Sequence, residues 1–329
     1  MQLSDKFGRR FNYLRLSITD VCNFRCQYCL PNGYCGSKTE RESFLNVTEI
    51  SHLLAALTEL GLKKIRLTGG EPTLRKDFID IVSCIKKYEP IKQIAVTTNA
   101  YTLYKFAQEY KDAGITNVTI SLDSLTQAQF SKITQTLYYS NVIKSIDAAI
   151  EAGFSTIKLN AVLLKGLNDT DEEITHFFNY VKNKSITVRF IEMMETGDNH
   201  DDYRQFFSST EKINDKLYQE GWQLVTKSIT AGPAREYEHP GFEGKIGIIS
   251  PYSKIFCSDC NRIRVNSKGN LHVCLFDKCA KNLRHLLQHE SQKMELINFI
   301  VKAFSNKDIS HFLHDNIIGG DKHFSSIGG

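Results

Sequence analysis

Short apolar, β-branched runs alternate with stretches of helical period through the first two-thirds of this 329-residue chain. Residues 14–19, 64–68, 94–98, 117–122, 156–162 and 187–192 read as strands. Between the first two, Ile50, Leu53, Leu54, Leu57 and Leu60 fall on one helical face. Thr170, with Glu173 three positions on, reads as a capping box that opens a helix running towards Val181. Gly61, Gly114 and Gly153 each follow a helical stretch, where a left-handed cap is needed. Strand–helix units in series predict an α/β fold, a parallel sheet with helices outside it. Periodicity alone leaves a doubly wound sheet and a curved partial barrel open. In both, ligands collect beyond the C-terminal ends of the strands. After residue 205 the pattern changes. Residues 222–227, 245–250, 263–266 and 271–275 read as short strands, and 282–288 and 294–304 as helical. The expected division is a domain over 1–205 and a smaller β-rich and helical one over 206–329.

Composition adds bounds. Hydrophobic residues make up 41% and charged residues 24%, enough for a substantial core and too ordinary for disorder. A net charge of +4 gives no reason to expect a nucleic-acid or membrane surface. No run approaches the roughly 18 apolar residues of a membrane span, and the first ten residues lack the apolar core of a secretory signal. Nine cysteines in such a chain favour metal binding over disulfides and a cytoplasmic location.

The cysteines fall in two sets. Cys22, Cys26 and Cys29 form C-x3-C-x2-C directly after the first strand run. Three thiolates on a four-iron cluster leave one iron open for a ligand, while a structural metal knuckle is the plainer alternative. Cys257, Cys260 and Cys274 form C-x2-C-x13-C. Adding Cys279 makes a credible four-thiolate zinc ribbon, so spacing alone leaves zinc and iron–sulfur both open. Zinc does not account for Arg262 and Arg264 beside those thiols, since guanidinium groups there ask for anionic partners. Arg15 and Lys158 lie within strands and Arg66 alternates with apolar Ile65 and Leu67; a structural ion pair is the plain reading of each. Gly69-Gly70-Glu71-Pro72 closes the second strand, where paired glycines allow close backbone approach. There is no G-x-x-x-x-G-K-[ST] loop, which excludes a P-loop nucleotide hydrolase.

The first cysteine motif resembles the radical S-adenosylmethionine superfamily. The run from Gly247 through Cys257-Ser-Asp-Cys260-Asn-Arg262-Ile-Arg264 to Cys274 resembles the GTP 3′,8-cyclase family of molybdenum cofactor biosynthesis. The likeness extends from Arg15 to the terminal Gly328-Gly329. It implies a partial (β/α)6 TIM-type barrel of the radical SAM type with a smaller C-terminal domain. It also implies two 4Fe-4S clusters, on Cys22, Cys26 and Cys29 and on Cys257, Cys260 and Cys274, leaving Cys35, Cys84 and Cys279 spare. S-adenosylmethionine is expected at the positions matched by Tyr28, Gly70, Ser121 and Met194. GTP is expected at Arg15, Arg66, Thr97, Lys158, Arg262 and Arg264, and the two terminal glycines are expected to reach the active site. The implied reaction gives (8S)-3′,8-cyclo-7,8-dihydro-GTP through a 5′-deoxyadenosyl radical, with no side-chain acid or base assigned. Expected partners are a reductase or flavodoxin-type electron donor and a downstream cyclic pyranopterin monophosphate synthase, with a homodimer left open. A peptide-modifying radical enzyme with an auxiliary cluster and a zinc-binding interaction protein are the rival readings.

Overall fold

The computed structural model describes residues 1–37, 43–196, 199–226, 232–277 and 279–315. Six strands carry the N-terminal two-thirds: β1 (Tyr13–Ser17), β2 (Lys64–Thr68), β3 (Gln93–Thr98), β4 (Asn117–Ser121), β5 (Thr156–Leu163) and β6 (Thr187–Glu192). The sequence expectation placed each within one or two residues. Helices fill the connections: α1 (Val47–Glu59), α2 (Phe78–Lys86), α3 (Leu103–Ala113), α4 (Gln127–Thr134), α5 (Tyr139–Glu151) and α6 (Asp171–Tyr180). Then come α7 (His200–Phe206), α8 (Glu211–Gln219), β7 (Gln223–Leu224), β8 (Arg235–Glu238), β9 (Lys245–Ile249), β10 (Arg262–Val265), β11 (Asn270–His272), β12 (Lys281–Asn282) and α9 (Lys293–Ser305).

The twelve strands among the described residues form one sheet, ordered β12-β11-β10-β1-β2-β3-β4-β5-β6-β9-β8-β7. The C-terminal strands extend the edges of the first sheet instead of making their own: β10 pairs in parallel with β1, and β9 in parallel with β6. The strand expected over 271–275 stops at His272, and the one expected over 222–227 is only Gln223–Leu224 within the described residues. The helix expected over 282–288 is a 3-10 turn at Arg284–Leu286. Thr170 does cap α6 by accepting from the Glu173 amide (3.3 Å), but the Glu173 carboxylate turns away. It accepts from the hydroxyls of Ser124 (2.7 Å) and Thr126 (2.5 Å), so only half of the expected box forms. A complete box stands instead at Asn46 and Glu49, opening α1.

Period-2 patterning decides between the two α/β architectures. In β5, Ile157, Leu159, Ala161 and Leu163 are buried, whereas Thr156, Lys158, Asn160 and Val162 line a cavity. The same polar inner face recurs round the sheet from β10 to β6, so the strands enclose one space, and the helices cover only the other face. This is the curved partial barrel. Gly61, Gly114 and Gly153 have φ of 88°, 125° and 70°, the backbone that a helix-ending glycine supplies without strain.

Candidate functional site

The first thiol set sits on the loop that leaves the C-terminal end of β1, and both flanks of that loop are pinned. On one side, the amides of Ile18, Gly70 and Glu71 donate to the carbonyls of Thr68, Thr19 and Val21 at 3.0, 2.8 and 2.7 Å. A Cβ at Gly70 would sit 2.2 Å from the Val21 carbonyl oxygen, and one at Gly69 2.3 Å from that of Thr19. The paired glycines therefore let the second strand's exit turn lie against the cysteine loop itself. On the other side, the amides of Arg25 and Gln27 donate to the carbonyls of Thr134 and Ile133 at the end of α4.

Glu71 anchors this arrangement from beneath. Its carboxylate, 1% exposed, accepts from the Thr98 hydroxyl (2.7 Å), the Asn99 amide (2.6 Å) and the Thr73 hydroxyl (2.6 Å). The Asn99 side chain passes the contact on to Asn23 (2.8 Å) and Cys22 Sγ (4.0 Å). Tyr28 spends its hydroxyl on Asp123 (2.9 Å). Asp123 accepts a second bond from the Val162 amide (2.9 Å), which ties the cysteine loop to β5. Burial pushes Asp123 up to about 6, with those two donors holding it back. Burial likewise raises Cys22 to about 11 and Cys26 well above the usual thiol range. Such thiols stay neutral until a metal takes the proton's place.

Cys22, Cys26 and Cys29 face a cavity of about 580 Å³ whose wall also carries Gly70, Ser121 and Met194. The far wall is cationic. Neighbouring strands set Arg264 beside Arg15 and Arg15 beside Arg66, and one step away set Arg262 beside Tyr13 and Tyr13 beside Lys64. Like charges facing across strands repel. Burial, then Arg15 and Arg262, lower Arg264 to about 9; burial also brings Arg15 down to about 10 and Lys158 to about 8. Arg66 is held in a fixed orientation. Its guanidinium donates to the hydroxyls of Tyr13 (2.7 Å), Thr97 (3.0 Å) and Thr119 (2.7 Å). Burial alone would raise Tyr13, but Arg66, Arg15 and Lys64 bring it down to about 7. Lys158 and Arg189 meet on Glu236 Oε1 at 2.7 and 2.5 Å. A wall so rich in cations suits an external polyanion.

Cys257, Cys260 and Cys274 gather round a second, small cavity, which shares Phe256, Arg262, Arg264 and Leu275 with the large one. Here the electrostatics reverse. Burial opposes ionisation of Cys260, yet Arg262 and Lys307 outweigh it and lower the thiol to about 7. Burial raises Cys257, moderated by hydrogen bonds from the His311 amide and the Ser310 hydroxyl. Arg9 clamps this loop to the C-terminal segment. Its guanidinium pairs with Asp5 (2.6 Å) and donates to the carbonyls of Cys257 (3.1 Å), Asp308 (2.6 Å) and Ile309 (2.7 Å). Cys279 is exposed and does not line this cavity, so it is not placed to complete a four-thiolate zinc site. Among the described residues no three His, Cys, Asp or Glu converge tightly enough for a single ion. Each triad presents three thiols to one cavity, the donor type that iron–sulfur clusters take. Cys35 is exposed and Cys84 lies in the core side of α2, away from both cavities. Gly328 and Gly329 lie outside the described residues.

The structure thus brings ten expected contact residues to the large cavity: Tyr28, Gly70, Ser121, Met194, Arg15, Arg66, Thr97, Lys158, Arg262 and Arg264. Tyr13, Lys64, Arg189, Asp123 and Glu236 escaped the sequence reading. Arg189 had a visible signal, because Thr-Val-Arg-Phe-Ile repeats the apolar–cation–apolar alternation of Tyr-Leu-Arg-Leu-Ser and Lys-Ile-Arg-Leu-Thr.

Comparison with known proteins agrees with this architecture. Residues 16–178 match the radical SAM superfamily and residues 186–313 match Molybdenum Cofactor Synthesis C. A Haemophilus influenzae protein named GTP 3′,8-cyclase is 47% identical over 328 residues, spanning 100% of this chain and 96% of its own length. One of the same name from Vibrio parahaemolyticus is 44% identical, spanning 100% and 98%. Among solved structures, Streptococcus suis SuiB bound to S-adenosylmethionine superposes with a TM-score of 0.58 at 14% identity, over 90% of this chain and 68% of that one. Native anSMEcpe with bound AdoMet gives 0.56 at 16% identity, over 90% and 84%. Those structures share the fold; the sequence relatives fix the family. The chain belongs to the GTP 3′,8-cyclase family, a radical SAM domain continued by a molybdenum cofactor synthesis C domain.

Proposed function

We propose that this chain converts GTP to (8S)-3′,8-cyclo-7,8-dihydro-GTP, the first step of molybdenum cofactor biosynthesis, using S-adenosylmethionine and two 4Fe-4S clusters. The observation that carries the reading is a cavity with a half-buried three-thiol loop in one wall and a wall of strand-borne cations in another. Residues 1–205 would supply the first cluster site and most of the cavity, and residues 206–329 the second cluster site with Arg262 and Arg264.

Cys22, Cys26 and Cys29 would hold the first cluster, and Cys257, Cys260 and Cys274 the second. When bound, S-adenosylmethionine and the first cluster would supply the 5′-deoxyadenosyl radical chemistry that the reaction needs at C3′ of GTP. Everything else falls to the chain. Glu71 and Asp123 fix the loop that carries the first thiols. Gly70, Ser121 and Met194 line the cavity beside them, where an S-adenosylmethionine would lie. Arg15, Arg66, Lys158, Arg262 and Arg264 suit a triphosphate, because guanidinium forks match phosphate oxygens. Thr97 and Tyr13 aim Arg66 at that charge in advance, which lowers the ordering cost on binding. Enclosure by the barrel keeps a carbon radical from solvent.

A reductase or flavodoxin-type donor for the electron, a downstream cyclic pyranopterin monophosphate synthase and a cytoplasmic location complete the proposal. A homodimer remains compatible with it. No helix among the described residues is long and apolar enough to cross a membrane. The test is anaerobic incubation of the reconstituted protein with GTP, S-adenosylmethionine and a reductant. Formation of 5′-deoxyadenosine and a cyclised nucleotide, both dependent on GTP over ATP, is expected. Deoxyadenosine without any nucleotide product, at equal rates with either nucleotide, would overturn the substrate assignment.

A further inference from the structure

Among the described residues, four carboxylates line the large cavity: Glu71, Asp123, Glu192 and Glu236. Three are occupied by hydrogen-bond donors that carry no charge. Glu71 takes Thr73, Thr98 and Asn99; Asp123 takes Tyr28 and the Val162 amide; Glu192 takes the Thr210 amide (3.0 Å) and hydroxyl (2.9 Å). Glu236 differs. Lys158 Nζ (2.7 Å), Arg189 Nη2 (2.5 Å) and Arg189 Nε (3.2 Å) all converge on its single oxygen Oε1. That is the arrangement a phosphate oxygen would take between the same two side chains.

The fold makes room for it. Glu236 on β8 faces Gly247 on β9, and Arg189 on β6 faces Gly247 from the other side. A Cβ on Gly247 would lie 2.9 Å from Arg189 Cγ and 3.5 Å from Glu236 Cγ. With no side chain there, the glutamate and the arginine meet across β9. The Glu236 side chain is 26% exposed and stands on β8, an antiparallel extension of the barrel.

We propose that Glu236 is a resident counter-anion that stands in for a substrate phosphate on Lys158 and Arg189, and so sets a ceiling on the affinity of the cavity for GTP. It keeps two buried cations compensated in the empty barrel, and an incoming triphosphate competes with it for them. This inference rests on the reading that Lys158 faces the substrate's phosphates. Burial would raise the Glu236 carboxyl, but Arg189 and Lys158 hold it down at about 2, so it is charged at any working pH.

The experiment measures binding of GTP, inorganic triphosphate and guanosine to the cluster-loaded protein, as wild type, Glu236→Gln and Lys158→Gln, each first shown to be folded by circular dichroism and to carry its full iron. Removing one like charge a few ångströms from a phosphate, with solvent screening, should tighten GTP and triphosphate about tenfold in Glu236→Gln. Guanosine, which lacks phosphates, should bind the two proteins alike. Lys158→Gln should bind GTP and triphosphate more weakly than wild type. If Lys158→Gln binds them as wild type does, the phosphate reading of this wall falls. If Lys158→Gln is weakened while Glu236→Gln is unchanged or weaker, the counter-anion inference falls and the phosphate reading stands. A general packing defect would loosen binding, so tightening in Glu236→Gln separates charge competition from structure.

Discussion

Replacing Tyr13 with Phe tests whether the cationic wall is an electrostatic device or an incidental cluster. The Tyr13 hydroxyl is buried, accepts from Arg66 Nε at 2.7 Å and has Lys64 and Arg264-flanked Arg15 in the neighbouring positions. Those cations bring its titration from 10.0 to about 7 despite burial. The folded-state value lies below the unfolded one, so ionisation stabilises the fold as pH rises through it and that gain disappears as pH falls through it. Each unit of separation corresponds to about 1.4 kcal/mol. Wild type should therefore gain about 1.4 kcal/mol over Tyr13→Phe between about pH 6 and about pH 8, with no such change below that range. Denaturant melts of the cluster-free proteins across this range give the difference. Near-ultraviolet tyrosinate absorbance should appear near neutrality in wild type and not in the variant. Inorganic triphosphate, which neutralises the same cations, should suppress it. A stability difference independent of pH, with every tyrosine titrating in the ordinary range, would refute the reasoning.

Other changes probe the two thiol sites. Gly70→Ala forces a methyl to 2.2 Å from the Val21 carbonyl oxygen; overpacking of this kind costs about 1–3 kcal/mol. The cysteine loop should shift and the first cluster should be lost, seen as reduced iron and absent S-adenosylmethionine cleavage. Arg9→Met strands the buried Asp5 carboxylate and should cost about 3–5 kcal/mol in a denaturant melt. Loss of iron from the second site ahead of the first should accompany it; equal loss from both argues against a specific clamp. Cys260→Ala should remove about four of about eight irons and abolish cyclisation while leaving S-adenosylmethionine cleavage measurable. Normal cyclase activity in that variant contradicts the second-cluster assignment.

The barrel strands were legible because each keeps one face apolar against helices, so alternation survives in residues such as Ile157, Leu159 and Ala161. The edge pairings were not. That β10 docks on β1 and β9 on β6 depends on contacts between segments 249 and 58 residues apart, which no local pattern encodes. Glu173 carried a capping signal, yet Ser124 and Thr126 offered its carboxylate buried partners that the helix end could not match. At the site, the cysteines and the arginines beside them stood out by spacing. Arg189 repeated the same strand pattern as Arg15 and Arg66 and could have been found. Tyr13, Asp123 and Glu236 could not, because each acts through a partner on another strand or loop: Arg66, Tyr28, and Lys158 with Arg189.

The central claim is that one cavity lets the radical formed at the Cys22, Cys26 and Cys29 site act on the ribose of GTP. The most direct measurement supplies GTP carrying deuterium at C3′ to the fully loaded enzyme and weighs the 5′-deoxyadenosine formed. One deuterium transferred per nucleotide cyclised is predicted. Unlabelled 5′-deoxyadenosine, produced alongside a nucleotide that keeps its deuterium, would contradict the account.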